Sequence, residues 1–272
     1  SLPVRFWDAD TGESIPANWP IRFRSVEFTP DDNDLVGDIP FGKRTAFAKV
    51  DLVSREATPL FNVDTPVDQW AISDDGKITA TADEKGKITF HPADDTSEMD
   101  FGERVWRVGF SVGGDRVVAV GQTGKGTIFD LKTGAKVASL DQLTPNIPPL
   151  ALFSKGLATG GQGSIRLYSY QGEVELELSS PTEPDSTTWY TAVAVSHDGR
   201  RLAAATFRGS ATGQTRYDIE LWDLDTKKLL AQWDYHFDTI HFLAFTFDDR
   251  TVVSMADDGH VCLWDTAAVG TP

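Results

Sequence analysis

The sequence predicts an all-β chain built from one kind of sheet repeated along its length. Three observations carry that expectation. A strand ending in Trp-Asp recurs as VRFWDADTGE near the N-terminal end, IELWDLDTKK at 219–228 and VCLWDTAAVG at 261–270. Four weaker copies lie between them: FAKVDLVSRE from Phe47, ITFHPADDTS from Ile88, GTIFDLKTGA from Gly126 and IRLYSYQGEV from Ile165. The copies follow one another at roughly 35–55 residues, the period of a repeated supersecondary unit. Short strands with Asp/Gly turns between them run throughout, and no segment has a helical period.

Each full copy is preceded by two strands and followed by a fourth. The first copy, 1–18, supplies only a third and a fourth strand, VRFWDAD and ESIPAN. The second, 19–63, reads SVEFT, turn PDDN, DLVGDI, AFAKVD and EATPLFNV. The third, 64–101, reads DQWAIS, DDGK, ITATAD, ITFHP and TSEMDF. The fourth, 102–145, reads RVGFS, VGGD, RVVAVG, GTIFD and AKVASLD. The fifth, 146–185, reads LALFS, KG, LATGG, IRLYS and EVELELS. The sixth, 186–236, reads TAVAVS, HDGR, RLAAAT, IELWD and KLLAQWD. The last, 237–272, has Ile240–Thr246, Thr251–Ala256 and His260–Trp264, with no fourth strand. First strands such as IHFLAFT are too apolar throughout to face water on either side, whereas the fourth strands are amphipathic. Asp-Gly between second and third strands supplies the positive backbone angles of tight hairpins.

Four antiparallel strands at this period form the blades of a β-propeller. The chain resembles the WD-repeat β-propeller family, through Trp7-Asp8, Trp222-Asp223 and Trp264-Asp265 and through the first-strand endings Phe28-Thr29, Phe110-Ser111, Phe153-Ser154 and Phe245-Thr246. The resemblance covers essentially the whole chain. It implies a single domain, 1–272, of seven blades, or six full blades and a partial one if the chain is the C-terminal part of a longer polypeptide. It also implies a His–Ser–Asp–Trp hydrogen-bond set, whose members only the last repeat carries: His236, Ser254, Asp258 and Trp264.

With 40% hydrophobic residues the chain can bury a core, and no apolar run is long enough to span a bilayer. One cysteine, Cys262, allows no internal disulfide and fits a reducing compartment, the cytoplasm. A net charge of −16 repels phosphate backbones and argues against nucleic-acid partners.

Residues for catalysis are poorly placed. His91, His197, His236, His241 and His260 are scattered without metal-ligand spacing, so no metal or cofactor is expected. Most carboxylates, such as Asp74-Asp75, Asp198, Asp248-Asp249 and Asp257-Asp258, fall in turns, where Asp bonds its own backbone. Asp8-Ala9-Asp10-Thr11-Gly12 and Asp130-Leu131-Lys132-Thr133-Gly134 resemble half of the quinone-dependent dehydrogenase motif, but its closing Trp is missing.

Counting back along the aligned first strands places Arg24, Asp68, Trp106, Pro149, Thr191 and His241 towards one face. Two residues earlier the set is Arg22, Pro66, Arg104, Ile147, Trp189 and Thr239. Arg22, Arg24, Arg104, Trp106, Trp189 and His241 thus form a candidate binding set, of the residue types that dominate interfaces. Two long hairpin loops, GDIPFGKR and FRGSATGQTR, add Lys43, Arg44, Arg208 and Arg216. The expected function is a non-catalytic interaction or scaffold module for a protein or peptide, including another domain or chain of the same assembly. The alternatives are a propeller enzyme, either a quinone-dependent dehydrogenase or a small-molecule hydrolase, and a structural subunit of a large assembly.

Overall fold

A computed structural model describes residues 6–7, 13–15, 21–29, 33–91, 98–140, 143, 149–180, 187–209, 215–267 and 269. By packing, the chain divides into two compact units, Ser1–Gly109 and Phe110–Pro272.

In the first unit β1 (Phe6–Trp7) pairs antiparallel with β2 (Ser14–Ile15). Asp8 and the side chain of Trp7 lie outside the described residues. β3 (Ser25–Phe28), β4 (Asp34–Phe41), β5 (Arg44–Asp51) and β6 (Ala57–Val63) form a four-stranded antiparallel meander. β7 (Gln69–Ile72), β8 (Thr79–Ala82), β9 (Lys87–His91) and β10 (Glu98–Asp100) form the next. Val36, Phe47, Val67 and Trp70 make a core in which Phe47 stacks on Phe61 and meets Trp70 edge-on. The unit boundary falls at the end of β11 (Val105–Phe110), which opens a meander with β12 (Arg116–Gly121), β13 (Gly126–Asp130) and β14 (Lys136–Leu140).

The second unit continues with β15 (Leu150–Phe153), β16 (Gly156–Gly160), β17 (Ile165–Ser169) and β18 (Val174–Leu178). β19 (Thr187–Val195), β20 (Arg201–Gly209), β21 (Thr215–Asp223) and β22 (Lys228–His236) form the longest sheet. β23 (Ile240–Phe245), β24 (Thr251–Ala256) and β25 (Val261–Asp265) form a three-stranded sheet.

Sheet-on-sheet packing explains the apolar reading of the inner strands. In RLAAAT, Ala203 and Ala205 face Ile240, Leu243 and Phe245, while Leu202 and Ala204 face Phe153, Ala158 and Leu167. Both faces of β20 are buried, so alternation disappears from its sequence. β14 and β18 keep it because their outer faces meet solvent. The ladder between third and fourth strands slips at Ile128/Phe129, Leu167/Tyr168 and Leu221/Trp222, the same aligned position in three sheets.

The turns reuse one hydrogen-bond design. Ser73, Ser196 and Thr246 each donate a hydroxyl bond to an aspartate two residues on: Asp75, Asp198 and Asp248. The same hydroxyls accept the backbone N–H of Ile78, Arg201 and Thr251. The aspartate after the Trp position works likewise. Asp223 accepts Thr226 N and Oγ1 at 2.6 and 2.7 Å, Asp130 accepts Thr133 N and Oγ1 at 2.9 and 2.8 Å, and Asp265 accepts Ala267 N at 2.8 Å. The Asp-x-x-Thr motif is therefore a turn clamp in the fourth and sixth repeats.

Two expected loops are corrected. GDIPFGKR is an extended hairpin: β4 runs to Phe41, β5 starts at Arg44, and only Gly42 and Lys43 turn, Gly42 at φ +66°. In FRGSATGQTR the ladder continues through Arg208↔Arg216 and Gly209↔Thr215; residues 210–214 lie outside the described residues. Gly and Pro in these stretches read as loop, yet cross-strand pairing such as Phe207 against Tyr217 carries the ladder past the core.

Candidate functional site

In the first unit Arg24 is held by the carboxylate of Asp38, Nη2 to Oδ2 at 2.6 Å, and donates to Val67 O at 2.6 Å. Asp38 is fully buried on β4, and its Oδ1 also accepts Ser25 Oγ at 2.6 Å and Ser25 N at 3.0 Å. Trp70 Nε1 donates to Ser25 Oγ at 2.7 Å. Arg104 Nε bonds Asp68 Oδ2 at 2.7 Å, and its guanidinium lies 5.1 Å from the Trp106 ring centroid. A cleft of about 330 Å³ is lined by Arg24, Ser25, Val26, Glu27, Asp68, Gln69 and Trp70. The structure thus brings Arg24 and Asp68 to one cleft, with Arg104 tied to Asp68 and stacked on Trp106. Arg22 is exposed beside Phe23, Lys43 is exposed at its turn, and Arg44 pairs with exposed Asp64 at 3.1 Å.

Sequence reasoning missed Glu27. Burial pushes its carboxyl up to about 7, although Ile72 N donates to it at 3.2 Å and opposes the shift. A carboxyl raised in the folded state contributes stability that is complete below its ordinary pKa of 4.5 and is lost as pH rises through about 7. Replacing Glu27 with Gln is expected to leave stability unchanged at pH 4 and raise it at pH 8 by at most about 3 kcal/mol, read as a shift in urea midpoint. An equal effect at both pH values would contradict the assignment.

In the second unit the named residues separate. Trp189 is half-buried, opposite Phe207 in the ladder and bridged to Gln162. His241 is exposed and bonds Asp257 at 2.7 Å. Arg216 is exposed opposite Arg208. Arg208 is corrected: it is no loop-tip cation but a strand residue whose side chain is 13% exposed. Its Nη1 lies 3.1 Å from Asp218 Oδ2, and its Nη2 bonds Glu220 and Ser180 Oγ. Glu220, fully buried, also accepts from Ser180, Tyr190 and Trp222. A carboxylate inside the otherwise apolar run IELW was the available signal, because a buried charge requires partners.

His236, Ser254, Asp258 and Trp264 form one hydrogen-bonded chain. Trp264 Nε1 donates to Ser254 Oγ at 2.8 Å, Ser254 Oγ lies 2.7 Å from His236 Nε2, and His236 Nδ1 lies 2.8 Å from Asp258 Oδ2. A carboxylate only accepts, so Nδ1 carries the proton and Nε2 takes the serine hydroxyl. Burial favours the neutral Asp258 carboxyl. The N–H groups of His260 and Phe237 and the His236 ring outweigh it and hold the carboxyl well below the ordinary range. Trp222, Asp223 and Asp265 are likewise structural, in the contacts given above. Among the described residues no group of three or more His, Cys, Asp or Glu is placed to take a metal ion.

No protein-family model matches the sequence. Protein ROOT INITIATION DEFECTIVE 3 of Arabidopsis thaliana is 31% identical over 153 residues, covering 50% of this chain and 30% of that protein. The 66 kDa stress protein of Physarum polycephalum is 28% identical over 138 residues, covering 49% of this chain and 21% of that protein. The chain therefore spans less than a third of either relative's length. A chain of the mitotic checkpoint complex superposes with a TM-score of 0.71 at 14% identity, over 96% of this chain and 83% of that one. A chain of Kuenenia stuttgartiensis hydrazine synthase superposes at 0.67 and 13% identity, over 94% and 79%. Antiparallel four-stranded meanders and these structural likenesses meet in one architecture: the chain has a β-propeller fold, with third strands ending in Trp-Asp that resemble those of WD-repeat proteins.

Proposed function

We propose that the chain is a protein-interaction module that receives a peptide, a loop or a neighbouring domain at the cleft between Arg24 and Trp70. The observation that carries this reading is the fixed polar lining of that cleft. Arg24 and Arg104 are locked by Asp38 and Asp68, so donors and acceptors are pre-organised beside the half-buried ring of Trp106. A chain of the mitotic checkpoint complex shares the fold, which supports a place in a protein assembly. Cys262 as the single thiol supports a cytoplasmic setting.

The test is selection of peptides from a displayed random library on the immobilised protein, followed by titration against variants. Arg24 is unsuited to charge reversal, because a glutamate there would face buried Asp38. Arg104→Glu and Trp106→Ala are expected to weaken the selected peptides about tenfold or more. Peptides that bind both variants as tightly as the original protein would place the binding surface elsewhere.

A further inference from the structure

The last 44 residues carry a second surface. Tyr235 is 52% and Phe237 69% exposed, and their ring centroids lie 5.7 Å apart. His260, half-exposed, stands edge-on to both, at 5.9 Å and 86° to Tyr235 and 6.1 Å and 79° to Phe237. Three large rings left in water at one end of a sheet need a reason, since isolated exposed apolar residues are ordinary but a contiguous aromatic group is not.

Asp258 holds the group in place. Its Oδ2 accepts Phe237 N at 3.0 Å and its Oδ1 accepts His260 N at 2.8 Å, so both ring-bearing segments are pinned to one carboxylate. That carboxylate is itself fixed by His236. The rings are therefore pre-organised and would lose little freedom on binding.

The charge of this last segment is one-sided, while Arg216, exposed on β21, stands one residue before Tyr217, the ladder partner of His236. After Lys228 the sequence contains one further Lys or Arg, Arg250, against seven aspartates. Arg250 follows the turn between β23 and β24, at the opposite end of the sheet from the turn that carries Asp258 and His260. Asp238 and Asp257 flank the rings, both exposed. Aromatic faces attract cations through their quadrupole, and neighbouring carboxylates add to the attraction.

We infer that Tyr235, Phe237 and His260 are a docking point for an arginine or lysine side chain of a basic partner segment. This surface shares no residue with the cleft at Arg24, and its test does not involve that cleft.

The test titrates a short arginine–glycine peptide, and a glutamate–glycine peptide as control, by fluorescence anisotropy at low and physiological salt. Asp225→Asn serves to measure the loss from removing one exposed carboxylate elsewhere. The original protein is expected to bind the arginine peptide and not the glutamate peptide. Tyr235→Ala with Phe237→Ala should lose roughly tenfold in affinity, Phe237→Tyr should retain it, and Asp225→Asn should change it less than twofold. Circular dichroism confirms that the double variant is folded. Equal affinity in the double variant, or equal binding of the glutamate peptide, would overturn the inference. Self-association of the original protein that disappears in the double variant would assign the rings to a second copy and overturn it as well.

Discussion

Arg208→Ala is expected to lower the stability of the second unit by about 3–5 kcal/mol. The guanidinium is the cation shared by Asp218 and Glu220, which are 1% and 0% exposed. Removing it leaves two carboxylates inside the protein, with only neutral donors from Ser180, Tyr190, Trp222 and Gln232. That loss is large because the surviving charges keep their desolvation penalty without the attraction that offset it. Substituting the cluster by apolar residues of similar volume, Arg208→Met with Asp218→Leu and Glu220→Leu, should recover most of the loss. Urea unfolding with an unchanged slope is the measurement; a loss below 1 kcal/mol for the single variant would show that the ion pairs do not hold this sheet.

The second large effect is expected at His236→Ala, about 2–3 kcal/mol. The ring is buried and bonded on both nitrogens, so its loss leaves Asp258 and Ser254 without that partner. The pH dependence gives an independent reading. The Asp258 carboxyl is depressed in the folded state, so its contribution is present in full above the ordinary Asp value of about 4 and is lost as pH falls below it. Asp51, Asp75, Asp130, Asp223 and Asp248 are depressed too, chiefly by hydrogen bonds from neighbouring turn residues, and act in the same direction. Glu27 acts oppositely, weakening the fold as pH rises through about 7. Stability should therefore be greatest at mildly acidic pH. Asp258→Asn should make the acid side of the profile shallower while leaving the Glu27 side unchanged.

The fold was legible because its signals are local. Trp-Asp marks a third strand, and the Ser/Thr at the end of a first strand signals the turn after it through one hydroxyl bonded to one aspartate. Strand edges in the inner positions follow directly; Thr251–Ala256 and Gly126–Asp130 are read from sequence at the bounds the structure shows. Hairpin length was not legible, because pairing beyond the core depends on cross-strand contacts such as Phe207 with Tyr217 that no local signal encodes. The candidate site was only partly legible. A basic residue in or next to a strand looks the same whether it faces solvent, as Arg216 does, or a buried carboxylate, as Arg24 and Arg208 do. The clue lay in the acids: Asp38 in DLVGDI and Glu220 in IELWD sit in strands whose neighbours are apolar, which requires a nearby cation or donor set. The aromatic group at Tyr235 and Phe237 was hidden for a different reason. Tyr235 continues the strand KLLAQWD and Phe237 follows its end, and only the structure shows that their rings end in water.

Native-state amide hydrogen exchange read residue by residue tests the repeat most directly. If each Trp-Asp strand is an inner strand of its own meander, the slowest amides recur in every full repeat, in the second and third strands, in stretches such as Val117–Val120, Leu157–Thr159, Leu202–Ala205 and Ile219–Leu221, with fast exchange at each intervening turn. Protection gathered into one continuous block, or slow amides centred on the Asp-Gly turns, would contradict the account.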